Sequence, residues 1–214
     1  MRTPSTLLLL SLLAACAGPS ATRDPSEQSP PSAAATSATV AQRLEAARPG
    51  SELAALDALI GAWRVQVLQA DAAGELAPLA AGRAELAPSL GGRFLEWRTE
   101  VLLGGRPVRS FGVLGFDRER EVFELYWLSE TSSAQRIARG RGDARRGGVT
   151  LESADLDPES GGLRRWRSTL RIASDDVFTL RQEAWDPALE DWRELALTRY
   201  TRAPEPEAGA GGGG

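Results

Sequence analysis

The sequence contains no histidine and no lysine, and a single cysteine, in 214 residues. Each shortage removes a class of chemistry. Without His there is no near-neutral general base of the usual kind, no Ser–His dyad, and no imidazole to hold zinc or haem iron. Without Lys no Schiff base can form. The lone Cys16 allows neither a disulfide nor a cysteine metal site within one chain. All 25 basic residues are therefore arginine, and against 29 acidic residues they leave a net charge of −4. That balance gives no electrostatic reason to expect nucleic acid or an anionic membrane surface as partner.

No apolar run is long enough to cross a bilayer as a helix; Leu7 to Leu13 follows Arg2 and is too short. A charge followed by a short apolar run is the layout of a secretory signal. It ends in Leu13-Ala14-Ala15-Cys16, which resembles a bacterial lipobox. The resemblance implies cleavage after residue 15, acylation of Cys16 and attachment to the envelope by lipid alone. Ala17 stands where, in similar lipoproteins, an aspartate favours the inner membrane, so the expected address is the outer membrane. The alternative is an ordinary signal peptide that leaves Cys16 free. Residues 16–50 read as a lipidated cysteine and a flexible tether, since Ser, Pro, Ala and Thr cannot bury enough surface to order it. Within it, Val40 to Ala47 adds a short helical turn before Pro49-Gly50. Ser51 reads as an N-cap for an amphipathic helix carrying Leu53, Leu56, Leu59 and Ile60.

From there the pattern changes period. Leu95, Trp97, Thr99, Val101 and Leu103 alternate with Phe94, Glu96, Arg98 and Glu100, the mark of a half-buried antiparallel strand. Runs of this kind are predicted at 62–69, 82–88, 93–103, 107–116, 121–129, 133–139, 147–155, 163–173, 176–185 and 192–202. Gly91-Gly92, Gly104-Gly105, Gly147-Gly148, Gly161-Gly162, Ser174-Asp175-Asp176 and Asp186-Pro187 separate them with turn chemistry. An all-β, roughly ten-stranded up-and-down barrel over residues 51–203 follows, because closure removes the two exposed edges an open sheet would leave. Residues 204–214 read as a disordered tail on composition.

Gly61-Ala62-Trp63, straight after a short helix, resembles the Gly-x-Trp start of lipocalins and related calycin barrels. Leu90-Gly91-Gly92-Arg93-Phe94-Leu95, Gly112-Val113-Leu114-Gly115-Phe116-Asp117 and Leu197-Thr198-Arg199-Tyr200-Thr201-Arg202 sharpen the likeness. Together they resemble the bacterial lipocalin-like family called domain of unknown function 1579, over about residues 53–203. The resemblance implies a calycin-type barrel and no particular activity. It also implies that Trp63 lies at the closed end under an arginine of the last strand. Arg199, sharing its face with Leu195 and Leu197, is the residue that alternation offers for a cation–π contact; the bland alternative is a solvated Arg199 over a plain core Trp63.

Alternation turns Leu95, Trp97 and Thr99, Phe123, Leu125, Trp127 and Ser129, Trp166, Ser168 and Leu170, and Phe178, Leu180 and Gln182 to one interior. An unpaired buried Glu124 would cost several kcal/mol, which fixes this parity for the fifth strand. Leu95, Trp97, Thr99, Leu125, Trp127, Ser129, Trp166, Ser168, Phe178, Leu180 and Gln182 are then the candidate ligand-binding residues for a small apolar molecule. Equally, they simply fill the core. Some structural relatives bind haem through a histidine; this chain has none, and the spacing of Tyr126 and Tyr200 gives no haem site in its place. No cofactor is expected.

Other signals have plainer readings. Asp155-Leu156-Asp157-Pro158-Glu159 lacks the rest of a calcium loop, so no metal is expected. Arg141-Gly142-Asp143 is a turn in an Arg- and Gly-rich chain, and Arg164, Arg165, Arg167 and Arg171 make a basic strip on a solvated face. Three functions remain open: a lipid-anchored barrel binding a small apolar molecule, an interaction module with a filled barrel, and an enzyme using a carboxylate pair among Glu96, Glu100 and Glu124. Cys16→Ser is expected to release the protein from the membrane fraction or leave an unprocessed precursor, as fractionation and intact-mass measurement would show. Unchanged membrane association with cleavage after Ala15 would exclude the lipid anchor.

Overall fold

The computed structural model describes residues 33–46, 48–71, 73–156 and 161–204. The signal segment, Cys16, the first part of the tether, residues 157–160 and the tail from residue 205 lie outside the described residues. Helix α1 (Ala33–Ala46) straddles the point between Gln42 and Arg43 where the chain divides into two compact units, and is described by itself. It begins well before the short turn expected at Val40, within the stretch read as tether. Ala33-Ala34-Ala35 supplies the strongest helix formers, a preference that an argument from burial alone overlooks; Val40 and Leu44 remain exposed.

Helix α2 (Ser51–Ala54) is a single turn. Its N-cap is Gly50, in extended backbone and without a side-chain cap; Ser51 is the first helical residue, not the cap. A 3-10 turn at Asp57–Leu59 follows. Leu56 and Leu59, which this pair of turns carries, are fully buried.

Ten strands then run as β1 (Gly61–Ala70), β2 (Leu76–Ser89), β3 (Phe94–Leu103), β4 (Arg106–Asp117), β5 (Val122–Ser129), β6 (Arg136–Asp143), β7 (Gly148–Leu156), β8 (Leu163–Ser174), β9 (Val177–Asp186) and β10 (Asp191–Arg202). Each pairs with its sequence neighbours and β1 pairs with β10, which closes an antiparallel barrel. The expected architecture is the observed one. Two strands differ in extent. β2 starts six residues before the predicted Gly82 and runs through Pro78, where the β1–β2 register shifts between Val67 and Leu68. A proline lacks the donor a ladder needs and is accommodated at such an irregularity. β6 starts at Arg136, later than expected, and runs on to Asp143.

The ladder fixes what faces inward. Trp63, Val65, Ala84, Leu86, Leu95, Trp97, Leu114, Phe123, Leu125, Ala138, Val149, Leu151, Leu170, Ile172, Phe178, Leu180 and Tyr200 form one continuous core with Leu56 and Leu59. On β10 the parity differs from expectation. The β9–β10 register shifts between Glu194 and Ala196, and one extra residue exchanges the two faces of a strand. Thr198 and Tyr200 are buried, whereas Arg199 is exposed. The assignment of Arg199 as the tryptophan's partner is therefore wrong; Leu195 and Leu197, on its side, belong to the outer face.

Arg202 takes the place instead. It is register partner of Trp63 across the β1–β10 seam, and its guanidinium lies 4.3 Å over the indole. Its nitrogens also donate to Ala58 O at 2.8 Å, Ile60 O at 3.1 Å and Asp175 O at 2.6 Å. The Trp63 indole N–H donates to Leu59 O at 2.8 Å, so one stacked pair ties the 3-10 turn, both seam strands and the β8–β9 turn together. Gly61 is explained by the same pair. It has φ +130°, and a Cβ there would meet Arg202 Nη1 at 2.8 Å. Arg202→Ala is expected to cost about 2–4 kcal/mol, the loss of a stacked cation and several charged hydrogen bonds. Arg199→Ala should change stability by less than about 0.5 kcal/mol; urea denaturation of the two variants would check both.

Candidate functional site

Strand direction divides the interior into two halves. The start of β1, the end of β10 and the helical turns lie at one end, the plugged end. There an aromatic column rises through the core: Trp63 meets Phe178 edge-on at 4.7 Å, and Phe178 stacks on Tyr200 at 4.1 Å. Tyr200 meets Trp97 at 5.3 Å, and Trp97 meets Trp127 at 5.5 Å. Gly112 makes this possible, since a Cβ at that position would lie 2.5 Å from the Trp127 ring.

Above the column the lining turns polar. Thr99, Ser110 and Ser129 are consecutive register partners across β3, β4 and β5, a row of hydroxyls on the inner face. Ser110 donates to Ser129 at 3.2 Å. Thr99 Oγ1 and Trp97 Nε1 are shut off from solvent and have no hydrogen-bond partner among the described residues. The Tyr200 phenol lies beside both. Burial pushes its pKa above the ordinary value of 10.0, and the polar neighbours Thr99 and Trp97 oppose part of that rise.

Across the barrel, Arg136 at the start of β6 is register partner of Trp127 and faces inward. Its Nε donates to Asp155 Oδ2 at 2.8 Å, and its guanidinium lies 4.4 Å over Trp166, with Arg164 at 5.1 Å from the same ring. The Trp166 indole N–H is a third buried donor without a partner among the described residues. A void of about 20 Å³ lies against Leu125, Trp127, Arg136, Ala138, Ser168, Leu180 and Gln182. That is room for about one water and far below the roughly 300 Å³ of an ordinary ligand pocket.

All eleven residues expected to line a ligand site thus lie on inner-face positions, but in different settings. Leu95, Trp97, Phe178 and Leu180 are buried in the packed core. Leu125, Trp127, Ser168, Leu180 and Gln182 meet the void. Thr99 and Ser129 belong to the hydroxyl row, and Trp166 stands at the mouth between two arginines. Arg136, Asp155, Ser110 and Tyr200 escaped the sequence reading. On β6 the only large apolar residue is Ile137, which draws the parity the wrong way; the register opposite Trp127 is the signal that places Arg136. Asp155, in the stretch that lacks the rest of a calcium loop, has an arginine as its partner. Arg164 leaves the supposed four-residue strip, since it reaches over Trp166.

A larger concavity of about 900 Å³, open to solvent, runs along β1–β5; its lining includes Thr99, Ser110 and Ser129 of the hydroxyl row together with Arg83, Arg98, Glu100 and Arg109. Within it Arg83 and Arg109 pair with Glu100 at 3.0 and 3.1 Å. Glu96 pairs with Arg98, and Glu124 with Arg139 and Arg120, so the three carboxylates weighed for catalysis sit apart on the outer wall. The sequence reading missed Glu183, 8% exposed and opposite Glu194 in register. Arg167 holds Glu183 by two bonds of 2.7 and 2.8 Å, and Arg181 lies 3.7 Å from Glu194; neither is presented to a cavity as an acid–base pair. Arg141 donates to two backbone carbonyls and Asp143 accepts from the following turn, which gives the Arg-Gly-Asp stretch a structural role. Among the described residues no three acidic side chains gather at one point.

The family described as "Protein of unknown function (DUF1579)" matches residues 48–202. The chain belongs to this family. Among solved structures, that titled "Crystal Structure of Rv2717c from M. tuberculosis" is similar over 72% of this chain and 99% of that one, with a TM-score of 0.51 and 15% identity. "Structure of S-type Phycobiliprotein Lyase CPES from Guillardia theta" is similar over 77% and 98%, with a TM-score of 0.46 and 11% identity. At such identities the likeness is one of fold. No curated protein matches the sequence. This DUF1579 member is thus a lipocalin-like barrel with a packed plugged half and a polar open half.

The buried phenol gives a pH dependence. A raised folded pKa favours the neutral form, so Tyr200's contribution is complete below the ordinary value of 10.0 and is lost as pH climbs above it. Urea midpoints should fall between about pH 9 and about pH 11, and Tyr200→Phe should flatten that part of the fall.

Proposed function

We infer that the protein is a small-molecule-binding barrel of the bacterial envelope, anchored through Cys16 and loaded through its open half. The observation that supports this reading is where polar groups go unpaired. Trp97 Nε1, at the top of the aromatic column, Thr99 Oγ1 and Trp166 Nε1 lack a partner among the described residues, as does Glu194 Oε1 on the outer wall, whereas the Trp63 indole in the plugged half is bonded. A buried donor without an acceptor costs about 1–3 kcal/mol, and three clustered on one interior call for an acceptor from outside the chain. The void of about 20 Å³ admits no ligand as it stands. Entry requires displacement at the mouth, where Trp127, Arg136 and Trp166 are only partly buried and where side chains rather than backbone form the obstruction. The anchor rests on Leu13-Ala14-Ala15-Cys16.

A second reading is favoured by the same small void: a filled barrel whose outer wall is the working surface. Phe111, Tyr126 and Leu128 share that wall on β4 and β5, with Tyr126 and Leu128 exposed. Titration with the neutral probe N-phenyl-1-naphthylamine separates the two. Binding should quench or shift tryptophan emission, and Trp127→Ala should weaken it about tenfold, the loss of one good aromatic contact. An unchanged emission spectrum with no probe bound would leave the filled barrel.

A further inference from the structure

The mouth of the barrel contains an arginine that is only half engaged. The contrast with the outer wall is direct. Arg167 grips Glu183 through Nε and Nη2 at 2.7 and 2.8 Å, the fork geometry that locks a guanidinium to a carboxylate. Arg136 meets Asp155 through Nε alone, at 2.8 Å. Its terminal nitrogens make no hydrogen bond to the described residues, and both side chains of the pair are about one-third exposed, at 32% and 30%. A partly solvated, single-bonded pair contributes little and yields readily to a better-matched carboxylate.

What surrounds the arginine says what that carboxylate would bring with it. Arg136 and Arg164 both lie over Trp166, and among the described residues Asp155 is the one acidic side chain paired with either, so the described cluster carries one positive charge in excess. The Trp166 N–H is a further donor without a partner. Immediately inward, Leu125, Trp127, Ala138 and Leu180 line the void, with Ser168 and Gln182 at its edge. An inorganic anion would satisfy the charge and leave this wall unmatched; a neutral hydrocarbon would do the reverse.

We propose that the open half selects a monoanionic amphipathic molecule, a carboxylate on a flat aromatic or short apolar body. The carboxylate takes Arg136 from Asp155 and draws on Arg164 and the Trp166 N–H. The body enters against Trp127, Leu125 and Leu180. Asp155 then acts as the resident competitor that holds Arg136 in place when no ligand is bound. This assignment rests on the reading of the barrel as a small-molecule site and adds the charge of its ligand.

Calorimetric titration of the whole protein with 2-naphthoate and with its neutral isostere 2-naphthamide tests it. The naphthoate should bind at least about tenfold more tightly, the usual worth of a charged hydrogen-bond pair. Asp155→Asn, which removes the competitor without leaving a buried charge, should tighten naphthoate further and leave naphthamide unchanged. The double variant Arg136→Gln/Asp155→Asn, which strands neither partner, should lose most of the preference for naphthoate, keeping only what Arg164 and the Trp166 N–H supply. Equal affinities in the unaltered protein, or an Asp155→Asn variant that binds naphthoate no better, would overturn the anion assignment while leaving a neutral-ligand site standing. Failure of both compounds to bind would overturn the small-molecule site and the anion assignment with it.

Discussion

The barrel depends on one stacked pair at its seam. A closed sheet needs its first and last strands to find each other after some 140 residues of intervening chain, and nothing local directs that meeting. Arg202 over Trp63 supplies a specific contact at the seam itself. Because the same guanidinium also gathers carbonyls from the 3-10 turn and the β8–β9 turn, closing the seam and plugging the end are one event. The Trp63–Phe178–Tyr200–Trp97 column is laid directly on that foundation. Arginine is suited to this work in a way lysine is not: a planar group can lie flat on an indole and still direct donors along its edge. The stacking recurs at Trp166, Trp185 and Trp192, so the absence of lysine coincides with a structure that uses the guanidinium plane repeatedly.

Alternation made most of the fold legible. On β5 a single argument about Glu124 orients Phe123, Leu125 and Trp127; β3 and β9 follow the same logic, as does β8 up to Ile172, where its register with β9 shifts. The reading failed where period two is broken. In β10 the shift between Glu194 and Ala196 leaves Leu195 and Leu197 outside and brings the less apolar Thr198 and Tyr200 inside, so hydrophobicity pointed to Arg199 when geometry required Arg202. In β2 the ladder begins at Leu76, ahead of the predicted Gly82, and Pro78 sits at a register shift. Helix α1 starts ahead of the turn expected at Val40 for a different reason: its alanines favour a helix through backbone propensity, which has no signature in burial.

The candidate site was legible in its apolar part and hidden in its polar part. Trp97, Trp127 and Trp166 face the interior as their strands dictate. Arg136 and Asp155 face it too, and a rule that sends charges to solvent assigns both outward. Their mutual pairing lets them occupy inner positions at the mouth, and pairing between β6 and β7 is a property of the sheet that no single strand's pattern carries. The difference between the halves follows. Near the plug, rings fill the cross-section and Trp97 is 1% exposed. Toward the mouth the cross-section is held by a hydroxyl row and an ion pair, groups that can exchange partners without opening a cavity in the packed column.

The pairing of Trp63 with Arg202 also decides how the domain is hung. An even number of up-and-down strands returns the chain to where it started, so the barrel's entry and its exit emerge side by side at the plugged end. Among the described residues, the mouth at the far end is bordered by the hairpin connections. Whatever is spliced before β1 or after β10 is therefore carried at the base, and a fusion partner, an affinity tag or a surface linkage on either side leaves the opening clear.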